Sequence, residues 1–360
     1  MLLLVCALLP ILCLSTINSI NAHTETSPAI IKSEWISPPL TNFDCHGSSL
    51  LETTPGSLCA VWKGGPGKGK CNFEMTQNVG IWLSNYQQGQ WSEPQQIIQS
   101  PNSVTWTPIL SKLPSGELLL FYRLGPFPWQ SISLLKRSID DGKTWSAPEV
   151  LSSGIIGPTR SSPLIDANGM MICGSSSENG SPDDEFKSTA CWIEMSSDGN
   201  HWTKHGPLEL PGKKFGVIEP TLFHDVQGNL RMLCRDRAHR VGEEGWIQMA
   251  TSFDGGKSWT PFEKTSLPNP DAAFDSVDLG QGRVLLVYNH SHKNRFPLSV
   301  ALTTDGGDTW APILTLENTS GEFPSLCLAA DGMVHMCYSS IPAGATQRRI
   351  KHVVLDPARL

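Results

Sequence analysis

What this chain lacks narrows its class. It has no extended basic run, and its formal net charge is −7. Phosphate binding needs a positive footprint, so no nucleic-acid partner is expected. No two cysteines stand in C-x-x-C spacing, and no two histidines share metal-ligand spacing on one strand. Neither a metal nor another cofactor is therefore expected. Past the N-terminus no stretch keeps a helical apolar period, and no second apolar run is long enough to cross a bilayer.

The one long apolar run spans residues 1–14 and is followed by Ile20-Asn21-Ala22, which fits a cleavage site. Residues 1–22 read as a secretory signal. Residues 23–360 read as one domain of a secreted or extracytoplasmic monomer, with no membrane attachment after cleavage. That part keeps Cys45, Cys59, Cys71, Cys173, Cys191, Cys234, Cys327 and Cys337. An even count in an exported protein permits disulfides. Cys59, Cys173, Cys234 and Cys337 sit inside apolar strand patterns, where buried thiols fit equally well. Asn289-His-Ser and Asn318-Thr-Ser are glycosylation sequons if the route is eukaryotic.

What is present is a repeat. Ser138-Ile-Asp140-Asp-Gly142-Lys-Thr-Trp145 returns as Ser196-Ser-Asp198-Gly-Asn-His-Trp202, as Ser252-Phe-Asp254-Gly-Gly256-Lys-Ser-Trp259 and as Thr303-Thr-Asp305-Gly-Gly307-Asp-Thr-Trp310. Ser84 to Trp91 is a copy without its Asp. The copies lie about 50–60 residues apart, the spacing of blade repeats. The pattern is a hairpin turn: Asp accepts backbone N–H groups, Gly takes a positive φ, and Trp packs between neighbouring sheets. Six pairs of apolar strands, the first Gly56–Trp62 with Val79–Leu83 and the last Gly332–Tyr338 with Arg349–Val354, predict six blades. The last pair needs an outer strand, and Ile31–Ile36 near the N-terminus can supply it. The expected fold class is all-β: a six-bladed β-propeller of four-stranded antiparallel sheets with Asp-box turns.

Asp boxes at this spacing resemble those of the sialidase (neuraminidase) superfamily, over essentially the whole chain after the signal. Stretches such as Cys45-His46, Gly157-Pro158-Thr-Arg160 and Arg348-Arg-Ile-Lys-His-Val-Val-Leu-Asp356 resemble its divergent BNR-repeat secreted members. The resemblance implies an acidic glycan as partner, its carboxylate gripped by arginines, with a Tyr–Glu nucleophile and an Asp acid. Glu219-Pro-Thr-Leu followed by Leu233-Cys-Arg235 is similar to the sialidase Glu and one Arg. Arg295-Phe-Pro-Leu298 is similar to the segment of another. Three positions depart: Cys45-His46-Gly47-Ser48 stands where an Arg opens blade one, the loop after Trp62 offers only Glu74, and Glu322-Phe323-Pro324 stands where the Tyr belongs. A phenylalanine cannot form a covalent tyrosyl intermediate.

The expected catalytic residues are Glu219 as base, His46 as an imidazole in place of the Arg, and Asp275 as acid, with Asp278 an alternative to it. Arg235, Arg295, Arg160, Arg237 and Tyr338 are the expected substrate contacts, and Arg123 can join them. Three functions fit: hydrolysis of a terminal acidic sugar as by an exo-sialidase, a lyase on uronate polysaccharides using His46 or a Tyr as base, and glycan binding without turnover.

Overall fold

The computed structural model describes residues 27–37, 42–67, 78–181, 184–213 and 216–360. The expected signal, Cys71 and Glu74 lie outside them. The strands form six antiparallel sheets, each led by a strand at the axis: Phe43–Thr54, Ile109–Lys112, Leu164–Ile165, Val217–His224, Asp275–Gly280 and Glu322–Leu328. We number the sheets blades one to six in that order. The fold is the expected six-bladed β-propeller. In blade one the outer strand comes in two pieces, Gln90–Trp91 and Gln95–Ile98, both paired to Gly80–Gln87. Blade six takes its outer strand from the N-terminus. Ile30–Trp35 pairs with Arg349–Leu355, Trp35 standing opposite Lys351, so the ring closes as the sequence predicts and blade six gains its fourth strand.

Each blade buries both faces against its neighbours, and one apolar cluster fills each of the six junctions. Val287, Val300 and Met336 between blades five and six are fully buried, each stabilising the fold by about 1.5–3 kcal/mol. At the axis, polar side chains stitch one blade to the next. Ser325 Oγ accepts from Leu50 N at 3.1 Å, Ser49 Oγ from Leu110 N at 3.0 Å, and Asp275 Oδ2 from Leu326 N at 2.8 Å. The described cysteines are all free thiols, and Cys59, Cys173, Cys234 and Cys337 are buried, as the buried-thiol reading expects. Asn289 is fully buried and donates to Gly321 O, so that sequon is closed in the folded chain.

The four boxes fold alike. Asp305 Oδ1 accepts from Thr309 N at 2.9 Å, and Thr303 Oγ1 accepts from Gly307 N at 3.0 Å. The Trp indoles do not seek partners on other sheets. Trp145, Trp202, Trp259 and Trp310 each donate to the box glycine carbonyl at 2.9–3.1 Å, while rings such as Trp310 lie edge-on to the preceding blade at Phe223. Gly256 is favoured by its φ of +93°, a conformation that residues with a side chain rarely adopt.

The boxes carry a pH signature. The Thr144 hydroxyl holds the Asp140 carboxyl down at about 2. Burial pushes Asp305 up, but Thr309 outweighs it and the carboxyl also sits at about 2. A folded value below the unfolded one, about 3.9, means stabilisation that is complete above that pH and is lost as pH falls towards about 2. Asp305→Asn should therefore lower Tm at neutral pH and flatten the decline of Tm across the acid range. Parallel declines in variant and parent would rule this out.

Candidate functional site

The site begins with bulges in the axial strands. Pairing slips between His46 and Ser49, between Ile218 and Thr221, and between Glu322 and Ser325. Gly47, Glu219 and Phe323 occupy these bulges at φ +63°, +55° and +55°. A left-handed backbone costs a residue with a side chain on the order of 1–3 kcal/mol and is retained where it re-aims that side chain. Glu219 and Phe323 both line a cavity of about 130 Å³ at the mouth of the axis.

Among the described residues that cavity is lined by six cations, Lys63, Arg123, Arg235, Arg237, Arg240 and Arg295, against two carboxylates, Glu178 and Glu219. The excess is positive in a chain of net negative charge, so it is local and built. Arg235 is buried and splits its guanidinium: Nη1 meets Glu219 Oε2 at 2.7 Å, and Nε meets Asp271 Oδ1 at 2.8 Å. Asp271 also receives Arg237 Nε at 3.3 Å and Arg240 Nε at 2.9 Å, and its carbonyl accepts from Arg295 Nη2 at 2.8 Å. Burial would raise the Asp271 carboxyl, but Arg235, Arg237, Arg240 and Arg295 hold it below its ordinary value. Arg237 in turn pairs with Glu178.

Two groups stay open. The Arg123 guanidinium makes no hydrogen bond or ion pair with another described residue, and burial pushes its pKa down against the pull of Glu178, Glu219 and Glu194. Glu219 uses Oε2 for Arg235, while Oε1 accepts no hydrogen bond among the described residues. An unmatched guanidinium near an open carboxylate oxygen can receive an incoming anion by charge-assisted bonds and present a base beside it.

Arg235, Arg295, Arg237, Arg123 and Glu219 thus reach one cavity from three blades. The other expected residues lie elsewhere. Arg160 is 1% exposed, gives its guanidinium to the carbonyls of Ser48 and Pro324, and is not among the residues lining the cavity. Asp275 is buried among axial strands, accepting from Thr221 Oγ1 and Leu326 N, and burial pushes its pKa up. It stitches blade five to blades four and six and is not among the residues lining the cavity. His46 is buried, bonded through Nδ1 to Ser339 Oγ at 3.2 Å and lying edge-on to Phe323 at 4.3 Å, outside the cavity lining. Tyr338 sits in the core between blades five and six and donates to Glu317 at 2.8 Å.

Sequence reading missed Lys63, Glu178, Arg240 and Asp271. Lys63 is paired opposite His46, so blade one supplies its cation from the second strand rather than the first. Glu178 rides a hairpin, Met171–Ser181 with Asp184–Ser196, that runs past the apolar core through a polar stretch resembling a loop. Only Asp271 carried a signal, an Asn-Pro-Asp turn between two blades, and turn chemistry hid its role.

The model of the BNR repeat-like domain family matches residues 56–336. A sialidase from Bacteroides fragilis (strain YCH46) is 27% identical over 234 residues, covering 61% of this chain and 41% of that protein. The chain thus spans about two fifths of that relative's length. A protein of unknown function from Dyadobacter fermentans superposes with a TM-score of 0.73 at 18% identity, over 91% of this chain and 99% of that one. A Hadza microbial sialidase gives 0.68 at 17% identity, over 88% and 66%. The intramolecular trans-sialidase from Ruminococcus gnavus, in complex with oseltamivir carboxylate, gives 0.67 at 12% identity, over 93% and 99%. These structural likenesses establish the fold, and with a sialidase as a distant relative and the family model spanning most of the blades, the chain belongs to the BNR repeat-like domain family.

Proposed function

We propose that this chain acts on glycans ending in an acidic sugar, as a hydrolase of the exo-sialidase type. The observation that carries the reading is the convergence of Arg123, Arg235 and Arg295 on one cavity beside the open oxygen of Glu219. The guanidinium groups bind the sugar carboxylate. Phe323 provides no hydroxyl, so water attacks the anomeric carbon directly. The water oxygen bonds to that carbon, the glycosidic C–O bond breaks, Glu219 takes the water proton, and the leaving oxygen takes one from solvent. Export through residues 1–22 is part of the proposal, and N-terminal sequencing of the protein from its native host tests it.

Binding without turnover is the second reading. It is favoured by the ion pairing of Glu178, Glu219 and Asp271 to arginines. The lyase alternative loses its proposed bases, since His46 and Tyr338 lie off the cavity. The test is incubation with sialosides and uronate polymers, followed by released sugar and ultraviolet absorbance. Free sugar without new absorbance is expected. An unsaturated product overturns hydrolysis in favour of lysis, and saturable binding with no product favours the second reading.

A further inference from the structure

A larger groove opens beside the axial cavity, between blades two and three. It measures about 530 Å³, inside the range of about 300–1,000 Å³ typical of small-molecule sites, whereas the axial cavity falls below it. The two share Arg123, Pro128 and Glu178 as a common wall. A ligand that puts its carboxylate against the arginines can therefore extend past this wall into the groove.

The groove has the mixed surface that a sugar needs. Trp129 lines one side and is held by stacking on Phe127, with ring centroids 4.8 Å apart and planes 2° from parallel. Ile132 and Val150 stand 53% and 68% exposed on its rim, among the most exposed large apolar side chains described. Ser133 and Ser153 also line it. Saccharides present just such an alternation of C–H faces and hydroxyls, and a rigid aromatic with scattered polar groups matches it.

The opposite wall is pinned rather than loose. Glu194, fully buried, accepts from Ile156 N at 3.1 Å and Gly157 N at 2.7 Å, and pairs with Lys204 at 3.0 Å. Lys204 also donates to Gly154 O at 2.6 Å. One buried carboxylate and one lysine thus lock the Gly154–Gly157 turn before any ligand arrives, which limits the ordering cost of binding.

We infer that this groove is a saccharide subsite continuous with the axial cavity, so that the ligand is an acidic oligosaccharide of two or more sugar units. The inference rests on the acidic-sugar reading above and extends it. It is tested by titrating the full chain with an acidic monosaccharide and with a trisaccharide bearing the same sugar at its end. The trisaccharide should bind at least about tenfold more tightly. Trp129→Ala should collapse that ratio towards one. Because loss of Trp129 also exposes Phe127, Ile132→Asp, at a rim position that is already exposed, serves as the second variant and should narrow the ratio as well. Equal affinity for the two ligands, or a ratio untouched by both variants, overturns the subsite while leaving carboxylate recognition standing. A neutral trisaccharide binding as tightly as the acidic one overturns the carboxylate reading itself, and with it the continuity claimed here.

Discussion

Arg235→Met is expected to damage both binding and stability more than any other single change in the cavity. The substitution keeps most of the side-chain volume but strands Glu219, whose partner sits 2.7 Å away, and takes from Asp271 one of three guanidinium partners, leaving it Arg237 and Arg240. Removing one member of a buried charge network costs about 3–5 kcal/mol, because the remaining charges stay in low dielectric without compensation. For the ligand, loss of a buried charge partner costs about 2–5 kcal/mol of affinity. Arg235→Lys separates the two effects. It keeps the charge but cannot serve two carboxylates with one planar fork, so it should recover much of the stability and little of the binding. Urea denaturation and calorimetric titration with the acidic sugar measure the two quantities. If Arg235→Met bound as tightly as the parent, the carboxylate site would not be where these residues place it.

Glu219→Gln is the second large effect, and it falls on rate. Glutamine is nearly isosteric and its carbonyl oxygen still accepts from Arg235, so the fold and the ligand affinity should hold within a few-fold. Loss of a positioned general base lowers kcat by about 10²–10⁴. The readout is single-turnover release of the acidic sugar alongside calorimetric affinity. A variant that turns over at the parental rate removes Glu219 from the chemistry. A parent with no turnover and unchanged binding in the variant assigns the chain to glycan recognition.

The blades were legible because each repeat carries its own physics. Asp140, Asp198, Asp254 and Asp305 bond within their own turns, and the box tryptophans donate to glycines three residues back, so proximity in sequence is proximity in space. Glu219, Arg235 and Arg295 could also be found, because each lies in or beside a strand whose direction the repeat sets: Glu219 early in Val217–His224, Arg235 late in Leu230–Asp236, and Arg295 in the loop before Leu298–Thr303. Asp275 and Tyr338 could not be placed, since a one-residue change of phase on a strand exchanges the mouth for the core. Glu178 was hidden because its strand extends beyond the apolar core, where no alternation marks it.

The sequence by itself therefore determined the number of blades, the turn chemistry that repeats them, the closing role of Ile30–Trp35 and the absence of a tyrosine at position 323. Tertiary structure alone decided that Asp271 gathers three guanidiniums, that Lys63 rather than His46 brings the blade-one charge, and that Arg160 and Asp275 serve the axis. The reason is range: turns and strand pairs are set by neighbours along the chain, whereas the charge balance at the mouth is set by bulges in separate blades meeting across the ring.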